Sequence, residues 1–286
     1  MITAVNMAGR ILIAVTTLSS TAFQAQTGIS LTISDKIGTL AAGQFESVFD
    51  GRWRPDGSSM QTNAKPTVLI LRDGLFRKGE EAEADVIPAD GRLHPVHDNE
   101  YIDQVSITVI GDRSVREIDM LRGKVVYSVE YTVSPDGKTA SWQVANQANP
   151  NGSVARSETR QRRIQPSPSG SHSISGTWQQ TGITVDGGSG DWLLSLKQDR
   201  FSSWSPQGVG FEAVIDGPPV AVTGDVSGGM VTITSPSPRT IVKRSMLRGR
   251  VGSILEMTVL DDGKTMRVVA QAPQRGVTST FYLLKQ

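Results

Sequence analysis

The chain has 286 residues, of which 37% are hydrophobic and 20% charged, a balance that excludes a disordered polypeptide and predicts about two domains. Lys+Arg number 29 against 28 Asp+Glu, so no overall field draws the protein to nucleic acid or to an anionic membrane surface. Cysteine is absent, which excludes a disulfide framework, a cysteine nucleophile and a lipid-modified cysteine.

The N-terminus reads as an export signal over residues 1–25. Arg10 supplies the positive charge and residues 11–15 open a short apolar run. Small residues follow it, with Ser20, Thr21 and Ala22 or a cut after Ala25 as cleavage candidates. Met1 and Met7 are both possible starts. The run is too short to span a bilayer, so the expected product is periplasmic or secreted, with no membrane span. Residues 26–44 form a polar lead-in.

From residue 45 to 164 the dominant period is two, as in strands with one apolar face. Strands are predicted near 48–54, 67–72, 75–78, 85–87, 104–110, 114–120, 124–133, 138–146 and 154–164. Along one of them Val125, Tyr127, Val129, Tyr131 and Val133 share a face. Asp136-Gly137 then predicts a hairpin turn with both central residues at positive φ. Residues 165–173 are a Pro/Ser/Gly linker, and a second domain runs from 174 to 286.

The second domain repeats the first. Met120-Leu121-Arg122-Gly123 returns as Met246-Leu247-Arg248-Gly249, and Asp136-Gly137-Lys138-Thr139 as Asp262-Gly263-Lys264-Thr265, both 126 residues later. Gly51-Arg52-Trp53 returns as Gly176-Thr177-Trp178 at a slightly smaller offset. A unit this long can bury its own core. Short, regularly turned strands without a covering helix favour closed antiparallel barrels, about eight strands in each. Cutting the chain within residues 166–171 should then give two fragments that each fold.

The ordered set Phe49-Asp50-Gly51-Arg52-Trp53, Asp90-Gly91-Arg92-Leu93-His94-Pro95-Val96 and Ser134-Pro135-Asp136-Gly137-Lys138-Thr139 resembles a domain of exported bacterial proteins of uncharacterised function. The second copy is similar but degenerate, with Ile174-Ser175-Gly176-Thr177-Trp178, Asp216-Gly217-Pro218-Pro219-Val220 and Asp261-Asp262-Gly263-Lys264-Thr265. The resemblance implies an all-β chain of two tandem antiparallel lipocalin-like β-barrels, each with an early Gly-x-Trp near its closed end.

Candidate site residues cluster in the first repeat. Tyr127, Tyr131 and Trp142 have Ser253, Met257 and Val268 as counterparts. Their polar-tipped rings suit a small hydrophobic or amphipathic ligand, with Trp53 and Arg122 as further binding candidates. The leading expectation is therefore an exported, non-catalytic binding protein that uses its first barrel and needs no cofactor or metal. An alternative is a hydrolase or isomerase with His94, His97 and Asp98 at the mouth of that barrel. Another is a protein-interaction module that uses the basic stretch of Arg156, Arg160, Arg162 and Arg163. No Gly-x-Ser-x-Gly elbow, phosphate loop or His-Glu-x-x-His motif is present.

Overall fold

The computed structural model describes residues 47–286 apart from 80–84, 98 and 100. The expected export signal (1–25) and the whole of the expected lead-in (26–44) lie outside these residues. Twenty strands follow one another. They are β1 (Gly51–Thr62), β2 (Thr67–Arg72), β3 (Leu75–Lys78), β4 (Asp85–Pro88), β5 (Asp90–Pro95), β6 (Gln104–Gly111) and β7 (Ser114–Leu121). Next come β8 (Lys124–Val133), β9 (Thr139–Asn146), β10 (Ala155–Gln165), β11 (Gly176–Val185), β12 (Trp192–Lys197), β13 (Arg200–Trp204) and β14 (Gly210–Val214). The chain finishes with β15 (Val220–Ala221), β16 (Met230–Ser237), β17 (Thr240–Leu247), β18 (Arg250–Val259), β19 (Thr265–Ala272) and β20 (Val277–Lys285).

The strands form two nearly closed, barrel-shaped antiparallel sheets of ten strands each, not about eight. In the first repeat the strand not read from the sequence is β5 (Asp90–Pro95), which is exposed along most of its length and so shows no alternation of apolar residues. In the first sheet β4 and β5 are the two edges, joined through Ala89 alone. In the second, β14 and β15 are the edges, and Gly210 and Thr223 exchange backbone hydrogen bonds of 3.1 and 2.8 Å across the seam. Bringing its own edges together protects a sheet from pairing with foreign strands.

The order of strands departs from the domain limits read off the sequence. The first sheet runs β4-β3-β2-β11-β10-β9-β8-β7-β6-β5, and the second β14-β13-β12-β1-β20-β19-β18-β17-β16-β15. Each repeat has given its first strand to the other repeat's barrel. The compact units are accordingly 64–148 with 152–186, and 187–286 with residues 149–151 and the segment up to 63. Neither limit falls in the linker at 165–173.

The exchange is reciprocal in register. Gly51 of β1 faces Leu194 of β12, and Gly176 of β11 faces Leu69 of β2. The residue before each of these glycines caps the strand it has joined. Asp50 Oδ1 accepts the Leu196 amide at 2.6 Å, while Ser175 Oγ accepts the equivalent Leu71 amide at 2.9 Å. The incoming β1 is also held by Arg54, whose Nε and Nη2 each donate at 2.9 Å to the buried carboxylate of Asp191. On the other side Arg163 donates to Gly137 O and Ser173 O at 2.6 Å each and lies 4.3 Å over the Trp178 ring.

One turn assignment and one strand face are corrected. The two-residue turns with both residues at positive φ are Asp73-Gly74, Arg122-Gly123 and Arg248-Gly249. Only Gly137 takes positive φ in the Asp136-Gly137 turn, where Asp136 Oδ1 instead accepts the Ser134 hydroxyl and the Lys138 amide. The face of β8 also breaks. Asp119 faces Tyr127 and Met120 faces Val125, so Val126 is the extra residue of a bulge and is itself buried.

Candidate functional site

Inside the first barrel, β3, β7 and β8 bring Lys78, Glu117 and Tyr131 together. The Lys78 ammonium donates to Glu117 Oε2 at 3.2 Å and to the Tyr131 hydroxyl at 2.9 Å, and that hydroxyl donates to Glu117 Oε2. Tyr131 stands edge-on to Trp142 with ring centroids 5.5 Å apart, and Phe76 lies 6.1 Å from it on another side. All three rings belong to one core cluster with Leu69, Ile107 and Trp178. The polar tip of Tyr131 is therefore used within the barrel, and its ring is packed core.

The other expected binding residues are dispersed. Tyr127 is half-buried at the bulge of β8. Arg122 is exposed at the tip of the β7–β8 hairpin, φ 51°, where its amide donates to Asp103 at 2.6 Å. Trp53 is fully buried but lines the second barrel, because β1 has crossed to it. Its Nε1 donates to Phe49 O at 2.7 Å, as Trp178 Nε1 donates to Ile174 O at 2.9 Å in the first barrel. Both indoles are structural plugs with their only donor spent locally.

The histidine pair is not assembled. His94 Nε2 meets Asp90 Oδ1 at 2.8 Å, while His97 is exposed and Asp98 lies outside the described residues. Among the described residues no three His, Cys, Asp or Glu side chains are grouped to hold a metal ion. In the basic stretch, Arg156, Arg160 and Arg162 are exposed, but Arg163 is a half-buried clamp on Trp178.

The second barrel holds the arrangement that sequence reasoning missed. Ile241, Lys243, Ser245 and Leu247 alternate along β17 on its inward face, with Ile241, Ser245 and Leu247 buried. Lys243 and Ser245 fall 126 residues after Glu117 and Asp119. Ser203, paired with Leu194, occupies the place that Lys78 has opposite Leu69. Met257 stands for Tyr131. The same interior positions thus carry a lysine and two hydroxyls where the first barrel has a lysine, two carboxylates and a phenol.

These side chains line a cavity of about 20 Å³ together with Asp225, Phe211 and Met230. That is room for one water-sized group. The Lys243 ammonium sits 5.7 Å from the Phe211 ring centroid. Desolvation pulls its pKa from 10.5 to about 8. Ser245 Oγ is buried and has no hydrogen-bond partner among the described residues. Asp225 is fully buried in the β15–β16 loop, where Oδ1 accepts from Ser227 and Oδ2 from the Gly229 amide at 2.9 Å. Burial outweighs those bonds and pushes its carboxyl up to about 7. The sequence signal for this site was a lysine and a serine on the apolar parity of a strand between Ile241 and Leu247.

Compared with known proteins, the chain matches no family model, no curated protein and no solved structure. The site therefore has to be read from its own chemistry.

Proposed function

We propose that the protein is an exported, non-catalytic binding protein, and that its ligand enters the second barrel at Lys243 rather than the first. One observation carries this reading: the second interior contains a small cavity lined by a desolvated ammonium and an unpartnered hydroxyl. Polar groups withdrawn from water cost free energy until something bonds to them. A ligand that supplies those bonds recovers that cost. The apolar walls at Val209, Phe211 and Met230 favour a short hydrocarbon body with one polar end. In the first barrel Lys78, Glu117 and Tyr131 bond one another, which leaves that trio little to gain from a ligand.

Export rests on the Arg10 signal pattern, and the lipocalin-like assignment rests on the Gly-x-Trp plugs and the barrel-shaped sheets. The test is native mass spectrometry of protein isolated from its own source, with wild type beside Lys243→Met. A small-molecule mass carried by the wild type and lost in the variant supports the reading. A bare wild-type mass under every growth condition removes it.

A further inference from the structure

Lys243 is an amine, and the chemistry that separates a free amine from an ordinary surface lysine is covalent. We infer that Lys243 captures a short, uncharged aldehyde as a reversible imine inside the second barrel. The inference rests on the reading of this cavity as the ligand site and names the ligand class.

Three features of the geometry point to this class. First, no carboxylate bonds the Lys243 ammonium among the described residues, and its nearest described partner is the face of Phe211 at 5.7 Å. In the first barrel the carboxylate of Glu117 and the phenol of Tyr131 tie up the Lys78 ammonium. Second, the cavity is small, about 20 Å³, which admits a carbonyl group and excludes a bulky one at the amine. Third, Asp225 is the other ionisable group that lines the cavity, and it disfavours an anionic 2-oxo acid. A cavity with room for one water-sized group holds the carbonyl end alone, so a short alkyl tail runs toward the cavity opening past the apolar Val209, Val222 and Val231.

The step balances without any redox partner. The lone pair of the neutral Lys243 amine attacks the carbonyl carbon, and proton transfer from nitrogen to oxygen gives a carbinolamine. That hydroxyl is protonated and leaves as water while the nitrogen lone pair forms the C=N bond. Loss of the remaining nitrogen proton gives the neutral imine. Hydrolysis reverses each step. Desolvation favours the neutral amine on which capture depends.

Reductive trapping on the full chain tests the idea, with propionaldehyde and sodium cyanoborohydride as the probe at pH 7 and peptide mass spectrometry as the readout. A lysine with a pKa of about 8 holds roughly 10²-fold more free amine at that pH than one near 10.4. Lys243 should therefore be propylated at least about tenfold faster than the exposed Lys65, Lys124 and Lys138. Its rate should level off above pH 8. Asp225 is the only other titratable side chain facing the cavity, so Asp225→Asn should change the Lys243 profile and leave the other three alone. Labelling of Lys243 no faster than the surface lysines overturns the inference. If the wild type still carries a small molecule that Lys243→Met loses, the binding reading stands without the imine. If neither adduct nor retained molecule is found, both fall.

Discussion

Equivalent interior positions of the two barrels hold opposite chemistry. On β7 they are Glu117 and Asp119, and on β17 they are Lys243 and Ser245. The first barrel brings a lysine from β3 to meet its carboxylate and ties both to a tyrosine hydroxyl. The second moves the lysine to β17, puts Ser203 where Lys78 would stand and replaces the tyrosine with Met257. The wall of the barrel is kept while the contents are rewritten. A buried ion pair that is fully bonded fills space and fixes a conformation. A buried ammonium without its carboxylate leaves a cavity and an unmet demand for a partner. The same strand framework thus yields one barrel whose lysine is bonded to a carboxylate and a phenol and one whose lysine is bonded to neither.

The test with the largest effect asks whether the barrels are what the strand order says they are. A specific protease site placed in residues 166–171 and cut in the folded protein should leave the halves in one particle. They should separate only on unfolding, because β1 and β11 are each bonded into the other repeat's sheet. Size-exclusion chromatography and native mass spectrometry read the result. Halves that part without denaturant would mean that each repeat closes on itself.

The next test works on the two lysines. Lys78→Met strands a buried Glu117 carboxylate and should cost about 3–5 kcal/mol in urea unfolding. Lys243→Met removes a desolvated ammonium that has no carboxylate partner and should instead raise stability by roughly 1–3 kcal/mol at pH 7. Effects of opposite sign would confirm the contrast; two losses of similar size would erase it.

Stability against pH sharpens it further, with effects of roughly 3–4 kcal/mol across each full window. The folded-state pKa of Asp225 is raised from 3.8 to about 7. The native state therefore binds more protons than the unfolded state between those values, and stability falls as pH rises through them. The folded-state pKa of Lys243 is lowered from 10.5 to about 8. There the unfolded state binds more protons, so stability rises as pH goes from about 8 to 10.5. Asp225→Asn should flatten the acid limb and Lys243→Met the alkaline limb in melts across pH.

The smallest effect separates two glycines. Gly123→Ala meets no atom within 4 Å, and at φ 74° should cost only about 1 kcal/mol in backbone strain. Gly176→Ala, at φ 136°, would bring its Cβ to 2.9 Å from both Arg163 Nη1 and Gln165 O. It should cost roughly 1–3 kcal/mol. Thermal unfolding of the two variants should rank them in that order.

Much of the architecture was legible in the chain. Two-residue alternation, abundant turn signals and the 126-residue repeat point to two all-β barrels, and the structure has two barrel-shaped sheets. Those signals are local, set by which face of a strand must leave water and where the backbone must reverse. Tyr131 and Trp142 were correctly placed indoors by parity. Their partners were not, since Lys78 reaches Tyr131 only once β3 has curled round to face β8. Parity also failed at Val126, where a bulge shifts the face and leaves no sign in the composition.

What sequence could not decide is which repeat completes which barrel. Gly51 and Gly176 carry the same local pattern and meet Leu194 and Leu69 in the same register. A strand returned to its own repeat would pair its backbone in the same register, so the local pattern prefers neither arrangement. The preference shows only in tertiary contacts such as Arg54 on the buried Asp191 of the other repeat, which a returned β1 would lose. The cavity at Lys243 is tertiary for the same reason. A lysine becomes a site when β13, β14 and the Asp225 loop close around it and, among the described residues, no carboxylate bonds its ammonium.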